Sequence, residues 1–90
     1  MPDIQHDAGH GRFSTTVDGE LAYLDTRLDG DHLVITHTWV PDAIGGRGIA
    51  GHLVKAAFEH ARAQGLKVRP ACSYAAAWIE RHPEFSDLLG

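Results

Sequence analysis

Cysteine is almost absent from this chain. Cys72 stands alone among 90 residues, so no internal disulfide can form, and a reducing, cytoplasmic setting is the expectation. No Cys-x-x-Cys or His-Glu-x-x-His spacing occurs. His6 and His10 are four residues apart, but in a polar, glycine-containing stretch with no apolar helical face, so no metal site is expected. No apolar run approaches the roughly 20 residues that a bilayer span needs. The opening residues, Met1 to Asp7, are polar and acidic, unlike a secretory or mitochondrial signal. There is no internal repeat, low-complexity tract or linker. One domain over 1–90 is expected, with the first ten residues as a partly disordered tail.

Hydrophobic residues at 43% and charged residues at 22% suit a globular protein, one small enough that its stability margin is narrow. The formal charge of −4 weighs against nonspecific nucleic-acid binding, and its distribution is uneven. Residues 1–42 hold eight acids and two arginines, whereas residues 43–90 hold six basic residues and four acids. The positive excess shares its half of the chain with a glycine-rich turn, Gly45-Gly46-Arg47-Gly48-Ile49-Ala50.

That turn sits between a strand and a helix. Before it, Leu33 to Val40 is rich in β-branched and aromatic residues and is stopped by Pro41. After it, Ala50, Leu53, Val54, Ala57, Phe58 and Ala61 follow helical spacing, and Gly65 is placed to end a helix from about Gly48 to Gln64. Glycines at a helix entrance leave backbone N–H groups uncovered where the helix dipole adds positive potential, which is how phosphate is bound. Upstream, strands are expected over Gly11–Val17 and Glu20–Leu28, joined by the hairpin signal Asp18-Gly19. Asp29-Gly30-Asp31 turns the chain into the next strand, completing a three-strand antiparallel meander. A short strand over Leu66–Ala71 returns after the helix and must run parallel to its predecessor. Pro70 cannot donate to a ladder and marks an edge or a parting of strands. Ser73 is expected to cap a second helix, Tyr74 to about Arg81, which Pro83 stops; Phe85, Leu88 and Leu89 then fold back on the core. The fold class is α+β.

The turn lacks the Gly-Lys-Ser/Thr of a P-loop, and the antiparallel meander before it excludes a dinucleotide-binding βαβ unit. It resembles the acyl-CoA pyrophosphate loop of GNAT-type N-acetyltransferases, usually Arg/Gln-x-x-Gly-x-Gly/Ala. Gly48 and Ala50 match, while Gly45 stands where Arg or Gln is usual. Thr36-His37-Thr38-Trp39-Val40-Pro41, Pro70-Ala71-Cys72-Ser73-Tyr74 and Arg81-His82-Pro83-Glu84-Phe85 are similar to three signatures of the small single-domain members of that family. The likeness spans residues 11–89, with Trp39 where glutamate is frequent.

The resemblance implies a minimal GNAT-like fold: antiparallel meander, crossover helix, splayed parallel strand and C-terminal helix. It implies acetyl-CoA or CoA wedged between the splayed strands and an amine acceptor on a side left open by missing elements. The cofactor would be held by Trp39 and Val40 of the strand, by Gly45, Gly46, Arg47, Gly48, Ile49, Ala50 and Gly51 of the loop, and by Cys72 and Ser73. An unknown amine, on a protein or a small molecule, is the implied partner, and a monomer or weak dimer is expected without nucleic acid or membrane.

Three catalytic candidates follow. Cys72, between a strand end and a helix start, could accept the acetyl group, protonate the departing thiolate, line the pocket, or serve as a small buried hydrophobe. His37 is suited to deprotonate an amine near neutral pH, but Ile35, His37 and Trp39 are expected on one strand face, where packing is the plainer role. Tyr74 could protonate the thiolate, a role such enzymes often give a tyrosine, although its spacing with Trp78 equally suits core packing. Arg47 pairs with phosphate or remains solvated, and His82 ties down the terminal segment. Beside an N-acetyltransferase stand two further readings: a CoA-binding module without turnover, and an interaction domain with a vestigial cleft.

Overall fold

A computed structural model describes residues 3–90 of the chain. Five strands form one sheet in chain order: β1 Gln5–Asp7, β2 Arg12–Val17, β3 Glu20–Asp29, β4 His32–Trp39 and β5 Lys67–Pro70. The first four pair antiparallel and β5 pairs parallel to β4. Helix α1, Ile49–Gln64, makes the crossover between them, and α2, Ser73–Glu80, follows β5. A 3-10 segment, Pro83–Leu88, closes the chain over the helices.

Side-chain alternation decides which sheet face the helices cover. Phe13 on β2, Ala22 and Leu24 on β3, Leu33 and Ile35 on β4 and Val68 on β5 are buried, and all belong to one core with α1, α2 and the closing segment. Helix α1 contributes Ile49, Leu53, Val54, Ala57, Phe58 and Ala61 to it, and Gly65 ends the helix in a left-handed turn as its spacing indicates. Trp78 of α2 joins the layers: its ring stacks on Phe58 at 5.4 Å and on His82 at 3.8 Å, and Phe85 lies 5.7 Å away. His82 Nδ1 also bonds the Trp78 carbonyl at 2.8 Å, so it does tie the terminal segment down. Phe85 and Leu88 are buried, whereas Leu89 stays largely exposed beside Val68.

Three sequence expectations are corrected. The sheet has one more antiparallel strand than the patterning showed, because β1 lies within the stretch expected as a tail. Met1 and Pro2 of that stretch lie outside the described residues. Cys72, not Ser73, is the N-cap of α2, in extended conformation, and no side chain caps this helix. The third concerns β4. Asp25 pairs with His37 but Thr26 pairs with Ile35, so Thr36 is an extra residue, a bulge, with its hydroxyl donating to the Asp25 carbonyl at 3.2 Å. One inserted residue reverses the alternation beyond it. Ile35 therefore faces the helices, while His37 and Trp39 turn to the opposite face.

Strand β1 is short and wholly exposed, and it is held by few contacts. The His6 ring lies flat on Phe13 at 4.1 Å and meets the His60 ring of α1 edge-on at 4.5 Å. The Thr15 hydroxyl donates to the Asp3 carbonyl at 2.9 Å. Burial, then the neighbouring His60, push the His6 pKa below its usual value, against a smaller opposing pull from Asp7. A histidine whose pKa falls on folding stabilises above its unfolded pKa of about 6.5, and that contribution is lost as pH drops toward the folded value. Amide-exchange protection of Gln5–Asp7 should therefore weaken as pH falls below about 6.5, and His6→Phe should flatten the dependence. Constant protection across that range in the native chain would rule the mechanism out.

Candidate functional site

The turn that leads into α1 is built to leave amides free. Pro41 starts a 3-10 turn, Asp42–Ile44, whose only buried residue is Ile44, and Ile44 and Gly45 donate back to Pro41 and Asp42. After Gly45, Gly46 and Gly48 take φ of 79° and 75°, a left-handed region that side-chain-bearing residues seldom adopt. A Cβ placed on either would meet no atom within 4 Å, so the surface there is open. The first helical amide with a backbone partner is that of His52, which donates to the Gly48 carbonyl at 3.1 Å. Among the described residues, the amides of Gly46 through Gly51 find no protein acceptor. The first turn of α1 carries no acidic side chain. Six free N–H groups at the positive end of a helix are the kind of donor set that suits an anion.

Arg47 extends from this loop to the β2–β3 hairpin, where Nη1 donates to Asp18 Oδ2 at 2.6 Å. Both side chains are at least half exposed, so the pair is worth little and can exchange for a stronger anion.

The second element is a parting of β4 from β5. Parallel pairing ends at Ile35 and Pro70. The Cys72 amide makes one further link, to the Ile35 carbonyl at 3.0 Å. Beyond it β4 runs on to Trp39 while the chain turns into α2, and the backbone of His37–Trp39 on that side is left without a strand partner.

The bulge at Thr36 assigns the side chains around this parting to two faces. Thr38 pairs with Leu24, on the helix side, and its hydroxyl shares a 3.4 Å hydrogen bond with Cys72 Sγ. Cys72 is half buried and packs on the core. His37 and Trp39 pair with Asp25 and Tyr23 on the other face, the His37 and Tyr23 rings 5.9 Å apart. Both are exposed, Trp39 to 49%. Cys72 and His37 thus flank the same gap from opposite sides. Thr38 is a residue that sequence reading passed over; only the reversed alternation after the bulge brings it to the sulfur.

Tyr74 and Trp78 lie one turn apart on α2, yet only Trp78 is in the core; Tyr74 is 42% exposed. Gly51 explains how they sit. A Cβ there would lie 3.4 Å from Trp78 Nε1 and 3.5 Å from the Tyr74 hydroxyl, ordinary contact distances, so Gly51 marks where α2 meets the first turn of α1 and the Tyr74 hydroxyl lies beside the free amides. Trp39 and Val40 lead into the loop from β4, and Ser73 follows Cys72 as the first residue of α2.

Charge elsewhere is quieter. Among the described residues, no group of three or more His, Cys, Asp or Glu is placed to hold a metal, and no helix is long and apolar enough to cross a membrane. A groove of about 660 Å³ lies at the far end of the sheet, lined by His6, Gly11, Leu28 and His60 among others, away from the free amides.

Comparison with known proteins agrees with this fold. The family model described as GCN5-related N-acetyl-transferase matches residues 12–88. Protein NATD1 of Mus musculus is 36% identical over 83 residues, covering 89% of this chain and 76% of that protein; its Homo sapiens counterpart is 35% identical, with 89% and 74% covered. The solution structure of a GCN5-like protein from Staphylococcus aureus superposes with a TM-score of 0.78 at 32% identity, covering 98% of this chain and 87% of that one.

The helix contact at Gly51 is directly testable by chemical denaturation. Gly51→Ala places a methyl at ordinary van der Waals distance and removes a helical glycine, so stability should rise by about 0.5–1 kcal/mol. Gly51→Val should cost about 1–3 kcal/mol by forcing Trp78 and Tyr74 away. Equal stability of the two variants would show that α2 does not close on this turn.

Proposed function

The chain belongs to the GCN5-related N-acetyltransferase family, and we propose that it uses acetyl-CoA to acetylate an amine. The observation that carries this reading is the run of free amides from Gly46 to Gly51 beside the parting of β4 and β5. Those amides would hold the cofactor's diphosphate, with Arg47 released from Asp18 to join them. The unpaired backbone of His37–Trp39 and Val40 would take the pantetheine arm in place of a strand, and Cys72 and Ser73 would bound its thiol end. Bound there, acetyl-CoA supplies an activated acyl thioester.

The side chains divide the remaining work by face. His37, on the exposed face, would accept the proton that an amine loses on attacking the acyl group. Tyr74 or Cys72, on the helix side, returns a proton to the departing sulfur, and Thr38 holds the Cys72 thiol toward the gap. Orientation by the strand and loop supplies much of the rate. A reducing cytoplasm is the compartment that suits the single free thiol, and a monomer or weak dimer would suffice, since every named group comes from one chain.

One observation favours a second reading, CoA binding without turnover. His37 has no hydrogen-bond partner to orient it among the described residues, and Trp39 offers no carboxylate in support. Two measurements on one sample separate the readings. Acetyl-CoA at about 100 times its dissociation constant should add about 2.7 kcal/mol of stability, and thiol should be released when an amine panel is added. Stabilisation without thiol release selects the binding module. No stabilisation at millimolar acetyl-CoA removes both.

A further inference from the structure

Arg47 is the one cation between β4 and α1, and its guanidinium is not left to solvent. It reaches the β2–β3 hairpin, 29 residues back in the chain, and meets Asp18 at 2.6 Å. Arg47 meets no second carboxylate among the described residues. The two ends of this contact differ in freedom. Val17 pairs with Glu20, so Asp18 and Gly19 alone make the turn, with φ of 51° and 75°. A two-residue turn of that hand is the tightest common hairpin connection, and it holds the Asp18 backbone in one place. Arg47, by contrast, stands between Gly46 and Gly48, where an added Cβ would find nothing within 4 Å. The hairpin sets the acid, and the arginine is the part with room to swing.

We propose that Asp18 is a competing counter-ion that limits how tightly the loop holds CoA: it pairs with Arg47 when the loop is empty, yields it to the cofactor's diphosphate, and takes it back as CoA leaves. The proposal rests on the reading that the loop binds that diphosphate, and it adds a residue outside the loop that opposes the binding. Like charge makes the two partners of Arg47 alternatives. A carboxylate kept on a guanidinium that also held a phosphate would set two anions side by side, a repulsion that the half-exposed setting screens only in part. Exposed ion pairs are weak, so a diphosphate seated on six amides displaces Asp18, yet each binding event must offset the lost pair.

The chemistry of the cofactor gives such a residue a purpose. The diphosphate sits at the opposite end of the pantetheine arm from the acyl group, and it is the same in acetyl-CoA and in CoA. Affinity placed there holds substrate and product alike and does nothing for the chemical step, while an excess of it slows product release. Asp18 removes part of that shared affinity at the point farthest from the reacting carbon. It does so without touching the cofactor, since it acts through Arg47.

The test is a titration of CoA into the native chain, Asp18→Asn, Arg47→Ala and the double variant. Asparagine suits the left-handed position of this turn, so the hairpin persists in Asp18→Asn. That variant should lower the CoA Kd about two- to fivefold, the scale of an exposed ion pair, chiefly through slower dissociation. In the Arg47→Ala background the same change should move Kd less than about 1.5-fold, because the arginine carries the effect. Amide resonances of Asp18 and Gly19 should also shift on CoA binding in the native chain and stay in place in Arg47→Ala. A Kd unchanged or raised by Asp18→Asn, an equal gain in both backgrounds, or hairpin amides that respond without Arg47 would overturn the proposal. Any of these alongside CoA binding by the native chain leaves the cofactor reading standing. No binding by the native chain at millimolar CoA removes both.

Discussion

Parallel pairing of β4 with β5 stops after four rungs, and the site depends on where it stops. Pro70, opposite Ile35, has no N–H to give, and the Cys72 amide makes the final link to Ile35 before the chain bends into α2. Had the ladder continued, the backbone of His37–Trp39 would be satisfied within the sheet and nothing could lie against it. Because it ends, a length of β4 keeps free donors and acceptors along one edge. The loop from Gly45 to Gly48 and the first turn of α1 follow directly from that strand, so the gap and the anion site share one rigid support.

The bulge at Thr36 gives this gap two different walls. Without the extra residue, His37 would lie under the helices and Thr38 on the bare face. With it, a thiol–hydroxyl pair faces the gap from the core side while a histidine and a tryptophan face it from the solvent side. In the proposed transfer, this division would let a proton leave the amine on one side and reach sulfur from the other. The helices hold the first wall in place through Gly51, where α1 and α2 meet, and through Trp78, which stacks on Phe58 and His82 and so carries the closing segment as well.

Much of this was legible in the residues. Alternation along β2 and β3, the helical spacing from Ala50 to Ala61 and the glycine stop at Gly65 follow local rules, and the order strand, glycine turn, helix is the order the fold contains. What escaped depends on partners distant in sequence. Strand β1 is three exposed polar residues, with no alternation to detect, and it exists because Phe13 and His60 receive the His6 ring. The reversal at Thr36 is a property of pairing with β3, so His37 and Trp39 were expected on the face of Ile35, and Thr38 was not considered. The pairing of Arg47 with Asp18, 29 residues away, left no local trace either. Ser73 looked like a cap by residue type, but the backbone placed Cys72 there.

The central claim is that amides left free by the fold bind the cofactor, and residue-resolved NMR during a CoA titration tests it most directly. The amide resonances of Gly46 to Gly51 should move together with those of His37 to Val40, saturating along one binding curve. Movement confined to other residues, such as those around the His6 and His60 groove, or no movement at millimolar CoA, would contradict the account.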